Sequence, residues 1–215
     1  VTLCRAALAA MLAWAAPSVA QDPPEPPSGE AVLAELNRMR SDPGRYGDAI
    51  GERARWFVDA RVYRPPGDPV GILTLEGPAA VREAADALRR VTPMPLLSPS
   101  PKLNAGAMQL AREQAASGAI GHRDRMGRGP GERVRALGGD IFVAEVISYG
   151  HVSARDVIMA LLIDDGVGRR GHRVTLLDRQ NRFAGVGCAP HSRYRIVCVI
   201  DLSSGRDGQY VPPGP

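Results

Sequence analysis

Residues 182–201, "RFAGVGCAPHSRYRIVCVID", constrain the fold more than any other stretch of the chain. Two β-like runs flank "APHSRY", which carries turn residues. A hairpin centred near Arg193 sets Cys188 directly opposite Cys198. Cross-strand partners lie about 4.5–5.5 Å apart at Cβ, near the reach of a disulfide. Closing so short a loop stabilises by roughly 3 kcal/mol on the chain-entropy model. The alternative is a pair of reduced, buried thiols, and an oxidising compartment favours the bridge.

The N-terminus points to such a compartment. "VTLCRAALAAMLAWAAPSVA" carries one positive charge, Arg5, then an apolar run over residues 6–16, then the small residues Ser18, Val19 and Ala20. That order is the pattern of a secretory signal peptide, with cleavage expected after Ala20. The run is too short to cross a hydrocarbon core of roughly 30 Å. Cys4 precedes the run instead of following it, which argues against a lipoprotein anchor. No later stretch is long and apolar enough for a transmembrane anchor. The expected organisation is a signal peptide over 1–20, a Pro-rich linker over 21–29, one domain over 30–203 and a flexible tail over 204–215. The expected location is secreted or periplasmic.

Composition closes off other classes. Apolar residues make up 44% of the chain, which is ordinary globular usage. Aromatics are only 5%, too few for a base-stacking platform. The net charge is +4, but the basic residues are scattered among acids, as in "GERVRALGGD". No basic block marks a nucleic-acid footprint, so no nucleic-acid partner is expected.

Ahead of the hairpin the periodicity is mostly helical. "SGEAVLAELNRMRSDP" places Val32, Leu36 and Met39 on one face and ends at Asp42-Pro43. A second helix is predicted from about Arg45 to Phe57. A third opens at Pro78 and carries Val81, Ala84, Leu88 and Val91. Ser100 caps a fourth, with Pro101 inside it, Gly118 past its end and a face of Leu103, Ala107, Leu110 and Gln114. "ERVRALG" reads as a short helix and "DIFVAEVISYG" as a strand. Ser153, with Asp156 three residues on, starts the helix "SARDVIMALLIDDG". Helices followed by a strand, a helix and a hairpin predict an α+β domain, with helices packed on a small sheet.

Three segments hold ionisable groups of interest. His122 sits in the glycine-rich loop "GAIGHRDRMGRG". Glu145 interrupts an apolar strand, and Asp164, Asp165 and His172 fall in "LLIDDGVGRRGHR". A carboxylate in an apolar strand either lies on the wet face of the sheet or needs a partner. Arg169, Arg170 and Arg173 either neutralise the acids or stay solvated, and solvation takes the larger share because surface ion pairs contribute about 0–1 kcal/mol.

The ordered segments "LNRMRSDPGRY", "KLNAGAMQLAREQAASGAIGH", "AEVISYG", "LLIDDGVGRRGHRVTLL" and "FAGVGCAPH" resemble the CAP superfamily of cysteine-rich secretory proteins, antigen 5 and pathogenesis-related proteins. The resemblance spans roughly residues 30–203 and is nearest a bacterial secreted branch. It implies an α-β-α sandwich with a small, mainly antiparallel sheet and a cleft holding two histidines and two acids. By motif, His122 and His172 are the histidines and Glu145 the first acid. The second acid is Asp164 or Asp165. "AEVI" departs from the "GEN" of many relatives, and both candidates for the second acid are aspartates.

Such a set suits a divalent metal, zinc first, with His122 and His172 as ligands and Glu145 as ligand or orienter. No nucleophile stands out: Ser148 and Ser153 have no adjacent base in sequence. Three functions follow. The first is a monomeric, non-catalytic binding domain for a metal, small ligand or cell-surface component. The second is a metal-dependent hydrolase using the same cleft. The third is an extracellular lipid or sterol carrier, with "RWFV" and "VGILTL" lining a groove.

Overall fold

The computed structural model describes residues 24–212. The expected signal peptide and the first residues of the linker lie outside that range. Helix α1 (Gly29–Ser41) leads into α2 (Pro43–Gly51), which tightens into a 3-10 turn over Glu52–Trp56. A two-stranded flap follows, β1 (Val62–Tyr63) and β2 (Ile72–Leu73), and then α3 (Pro78–Arg89) and β3 (Ser98–Pro99). The second half runs α4 (Pro101–Ser117), α5 (Pro130–Ala136), β4 (Ala144–Tyr149), α6 (Ala154–Ile163), α7 (Gly171–Leu176), β5 (Phe183–His191) and β6 (Arg195–Ser203).

The main sheet has the order β3-β5-β6-β4. β6 pairs antiparallel with both β5 and β4, and the short β3 runs parallel to β5. One face packs against α1, α3 and α6 through Val32, Leu36, Leu88, Ile158, Val186 and Ile200. The other packs against α4 through Ala107, Leu110, Val197 and Val199. The α+β, three-layer arrangement is the one expected from the sequence. β4 is an edge strand, and alternation along it sends Val146 and Ser148 toward α6, Glu145 and Ile147 toward α4.

The hairpin turns where the sequence puts it. Cys188 pairs with Cys198 in register, and the two are bonded, with Cα atoms 4.1 Å apart. The "AGVG" of β5 has a packing reason. A Cβ on Gly185 would lie 2.1 Å from the backbone of Leu103 and Asn104, and one on Gly187 would lie 2.4 Å from Met108. These two glycines let α4 lie directly on the sheet.

Local capping follows the residues. The Ser28 hydroxyl accepts from the Ala31 N–H at 3.1 Å, and Ser100 accepts from Leu103 at 3.3 Å. Gly118 ends α4 in the left-handed region at φ 70°. Arg40, wholly buried, ties α1 to the loops beneath it by donating to the carbonyls of Pro95, Leu176, Asp178 and Asn181. Burial lowers its pKa to about 10.

Three boundaries differ from the sequence reading. The second helix breaks at Gly51, where the chain tightens to 3-10 geometry. The strand around Glu145 starts only at Ala144, because Asp140 and Phe142 bond to residues 207 and 208 instead of to a strand. Asp140 N–H donates to Asp207 O at 2.9 Å and Phe142 N–H to Gly208 O at 3.0 Å. The stretch beyond residue 203 is therefore packed through Gly208, with Asp207 also accepting from the Ser100 hydroxyl at 2.6 Å.

Candidate ligand cleft

The charged turn between α6 and α7 is assembled group by group. Asp164 ends α6 in the left-handed conformation, at φ 56°, with its N–H donating to Ala160 O at 2.8 Å. Its carboxylate is buried. Oδ1 lies 2.6 Å from His172 Nδ1, while Oδ2 accepts from the backbone N–H groups of His172 at 2.9 Å and Arg173 at 3.4 Å. One side chain thus stops α6, covers the N-terminus of α7 and fixes the His172 ring. Asp164, not Asp165, is the acid beside the second histidine.

Asp165 serves the flap. Its two oxygens accept from the N–H groups of Leu75 at 2.6 Å and Glu76 at 2.8 Å. Glu76 returns the contact by accepting from Gly166 N–H at 2.6 Å and from both Arg170 nitrogens at 2.6 and 2.7 Å. The Arg170 hydrogen bonds, with the Gly166 N–H, hold the Glu76 carboxyl at about 2. Arg173 is buried and donates to Glu83 of α3 at 2.6 Å. Two of the three arginines expected to stay in water are therefore structural cross-links, because α3 and the flap bring carboxylates within their reach. Arg169 is exposed.

A second acid–histidine pair lies toward α4. Glu145, its side chain buried, places Oε1 2.9 Å from His122 Nδ1 and pairs through Oε2 with the buried guanidinium of Arg133. Arg133 also donates to His122 O at 2.9 Å, so one α5 residue fixes both members of the pair. Directly across the ladder from Glu145 is Asp201 of β6, with no exposure. As an anion it finds no hydrogen-bond donor; as an acid its proton faces Glu145. Burial, and then the Glu145 charge, push its pKa well up against the pull of Arg133.

Between the flap, α2, α6 and the β4 edge lies a cavity of about 1010 Å³. Trp56, Phe57, Tyr63, Ile72, Leu73 and Leu161 supply apolar wall. Asp164 and His172 also line it, together with Arg53, Arg155, His151 and Ser148. Trp56 and Phe57 stack against Tyr63, with centroids 6.1 and 5.5 Å apart. His122 and Glu145 do not line this cavity. Among the described residues, no group of three or more His, Cys, Asp or Glu side chains is gathered as a metal site.

Four participants were not singled out from the sequence. Arg133 and Asp201 complete the Glu145 pair, and the visible signal was an acid closing the apolar run "RIVCVID". Arg53 lines the cavity and forms an ion pair with Asp156. His151 lies 2.9 Å through Nδ1 from Ser148 Oγ. Ser148 does have a base beside it, three residues on, because Gly150 at φ 89° folds the chain back.

An α-β-α sandwich with two acid-held histidines defines a class, and a family model agrees. The chain belongs to the CAP, or cysteine-rich secretory protein, family, whose model matches residues 82–201, more than half of its length. Two solved structures are similar. One is an extracellular protein containing an SCP domain from Bacillus anthracis strain Ames, 19% identical, with TM-score 0.42, covering 51% of this chain and 34% of that one. The other is an outer surface protein of Borrelia burgdorferi, 17% identical, with TM-score 0.41, covering 49% of this chain and 75% of that one. The match therefore spans about a third of the length of the Bacillus protein. Nothing among curated proteins matches the chain.

The two aspartates of the turn are separable by mutation. Asp164→Ala strands two helix N–H groups and a ring nitrogen, and is expected to lower unfolding free energy by about 2–3 kcal/mol. Asp165→Ala is expected to cost about 1 kcal/mol or less, while speeding limited proteolysis within the flap. Chemical denaturation and proteolytic mapping of both variants read the difference.

Proposed function

We propose that the protein is an exported CAP-domain binding protein whose cleft holds a small ligand with an apolar body. One observation carries this reading: the cavity of about 1010 Å³ has Trp56, Phe57, Tyr63, Ile72 and Leu73 in its wall. The size falls at the upper end of small-ligand sites, about 300–1,000 Å³, and aromatic and aliphatic wall of this kind is their usual lining. The two stretches proposed from sequence to line a lipid groove, "RWFV" and "VGILTL", both contribute to this wall. Ile72 and Leu73 are also exposed to solvent on the flap, so a ligand would cover apolar surface now facing water. No described helix is long and apolar enough to cross a membrane.

The chain has two tryptophans, and Trp14 falls in the expected signal peptide, so Trp56 is the reporter in the processed protein. Titration with a fluorescent long-chain fatty acid should change Trp56 emission saturably. Leu73→Asp should weaken the response at least about tenfold, which is 1.4 kcal/mol. No change in Trp56 emission up to about 100 μM probe, an affinity weaker than about 5.5 kcal/mol, would contradict the reading.

A second reading, zinc binding, rests on ring geometry. Each histidine, His122 and His172, gives Nδ1 to a carboxylate, the arrangement that fixes a ring and leaves Nε2 for a metal. The donor set fits zinc only through imidazole. Glu145 is committed to His122 and Arg133, and Asp164 to His172 and two backbone N–H groups. The acids would act as orienters, and Glu145 would not ligate. Calorimetric titration with zinc should show one weak site lost in both His122→Ala and His172→Ala. Binding that survives either substitution would assign the pairs to structure alone.

A further inference from the structure

We propose that Ser148 and His151 form a nucleophile–base pair that cleaves carboxylic esters whose acyl chain occupies the cleft. The proposal rests on the reading of that cleft as an apolar ligand site. The observation behind it is a juxtaposition that neither the zinc reading nor the fold requires. Ser148 Oγ lies 2.9 Å from His151 Nδ1, and both residues line the cavity. Ser148 is the last residue of β4 to point toward α6. Tyr149 and Gly150 then turn the chain, and the imidazole comes back over the hydroxyl.

The surroundings suit the roles. Burial lowers the His151 pKa, so the ring is neutral at pH 7 and can accept a proton. The Asp156 charge opposes that shift, which means that it favours the imidazolium once formed. Asp156 is itself held in place near the start of α6, by the Ser153 hydroxyl at 2.6 Å and by Arg53. Burial would raise its pKa, but these two partners outweigh that and keep it an anion. Arg155 also lines the cavity and adds positive charge to its wall.

In the first step Ser148 Oγ bonds to the ester carbonyl carbon while its proton passes to His151. Collapse of that adduct breaks the bond to the alcohol oxygen, which takes the proton from His151 and leaves. Water then attacks the Ser148 acyl ester, giving a proton to His151. The carbon–Oγ bond breaks, Oγ recovers the proton, and the carboxylic acid departs. Water is the one co-reactant these steps use. Trp56, Phe57 and Tyr63 would hold the acyl chain, so the chemistry favours long chains over acetyl.

The test uses an alkyl fluorophosphonate on the full processed chain, with p-nitrophenyl acetate and octanoate as substrates. Expected is a single phosphonyl adduct, placed on Ser148 by peptide mass, and faster turnover of the octanoate. Ser148→Ala should give no adduct and keep its Trp56 emission, showing that the cleft is intact. His151→Gln should slow adduct formation by about 100-fold or more, the usual share of a general base. An adduct elsewhere, or one that persists in Ser148→Ala, would overturn the proposal. So would no adduct on a wild-type chain that still binds the fatty-acid probe, and in that case the cleft reading survives. Loss of both reaction and probe binding would remove the two together.

Discussion

The buried carboxylate of Asp164 is the joint on which the cleft depends. It sits where α6 stops, in a backbone conformation that β-branched and bulky residues avoid, and aspartate tolerates it. Because the chain turns left-handed there, residues 165–170 leave the helix axis and α7 can start against it. The same carboxylate then receives the first N–H groups of α7 and the His172 ring. Its neighbour Asp165 points the other way and pins the flap. Two adjacent acids therefore hold two walls of one cavity in fixed relation. Glu76, Arg170, Arg173 and Glu83 bind flap, turn and α3 into one network around them.

The opposite side of the β4 edge is built on burial of charge. Glu145 and Asp201 lie side by side across the ladder, with the Arg133 guanidinium against them. Two carboxylates and one guanidinium in a dry place cannot all be ionised cheaply. The arrangement pushes the Asp201 pKa well up, while Glu145 is bonded to Arg133 and His122. The sign for stability follows. A carboxyl whose folded pKa is raised contributes fully below the unfolded value of about 3.9, and that contribution is lost as pH rises toward its folded pKa. Gly106 of α4 belongs to the same packing, since a Cβ there would lie 3.3 Å from Asp201 Oδ2.

Much of this was legible in the sequence because local chemistry and global packing agree. The hairpin was visible in two β runs, and the cysteine register in their symmetry about Arg193. Helix starts were visible at Ser100 and Ser153, each a capping side chain. What stayed hidden depended on contacts far apart along the chain. Nothing near Asp165 says that its partners are the amides of residues 75 and 76. Nothing near Arg170 or Arg173 shows that Glu76 and Glu83 come within reach, so exposure to water was the natural expectation. Likewise, Ser148 and His151 are only three residues apart, but a strand would splay them. The turn at Gly150 brings them together, and strand periodicity gives no sign of it. The packed end of the chain escaped notice for the opposite reason: "GRDGQY" has turn composition, and its bonds to Asp140 and Phe142 are backbone bonds.

Amide hydrogen exchange at single-residue resolution tests most directly whether the charged turn is a built wall or a solvated loop. The N–H groups of Leu75, Glu76, Gly166 and His172 all lie outside strands or near helix ends, yet each donates to a carboxylate of the network. Fixed walls predict that these four exchange far more slowly than the exposed amide of Gly67 in the flap loop. They should also lose that protection together when Asp164 and Asp165 are both replaced by Ala. Exchange of all four at open-loop rates in the wild-type chain would contradict the account.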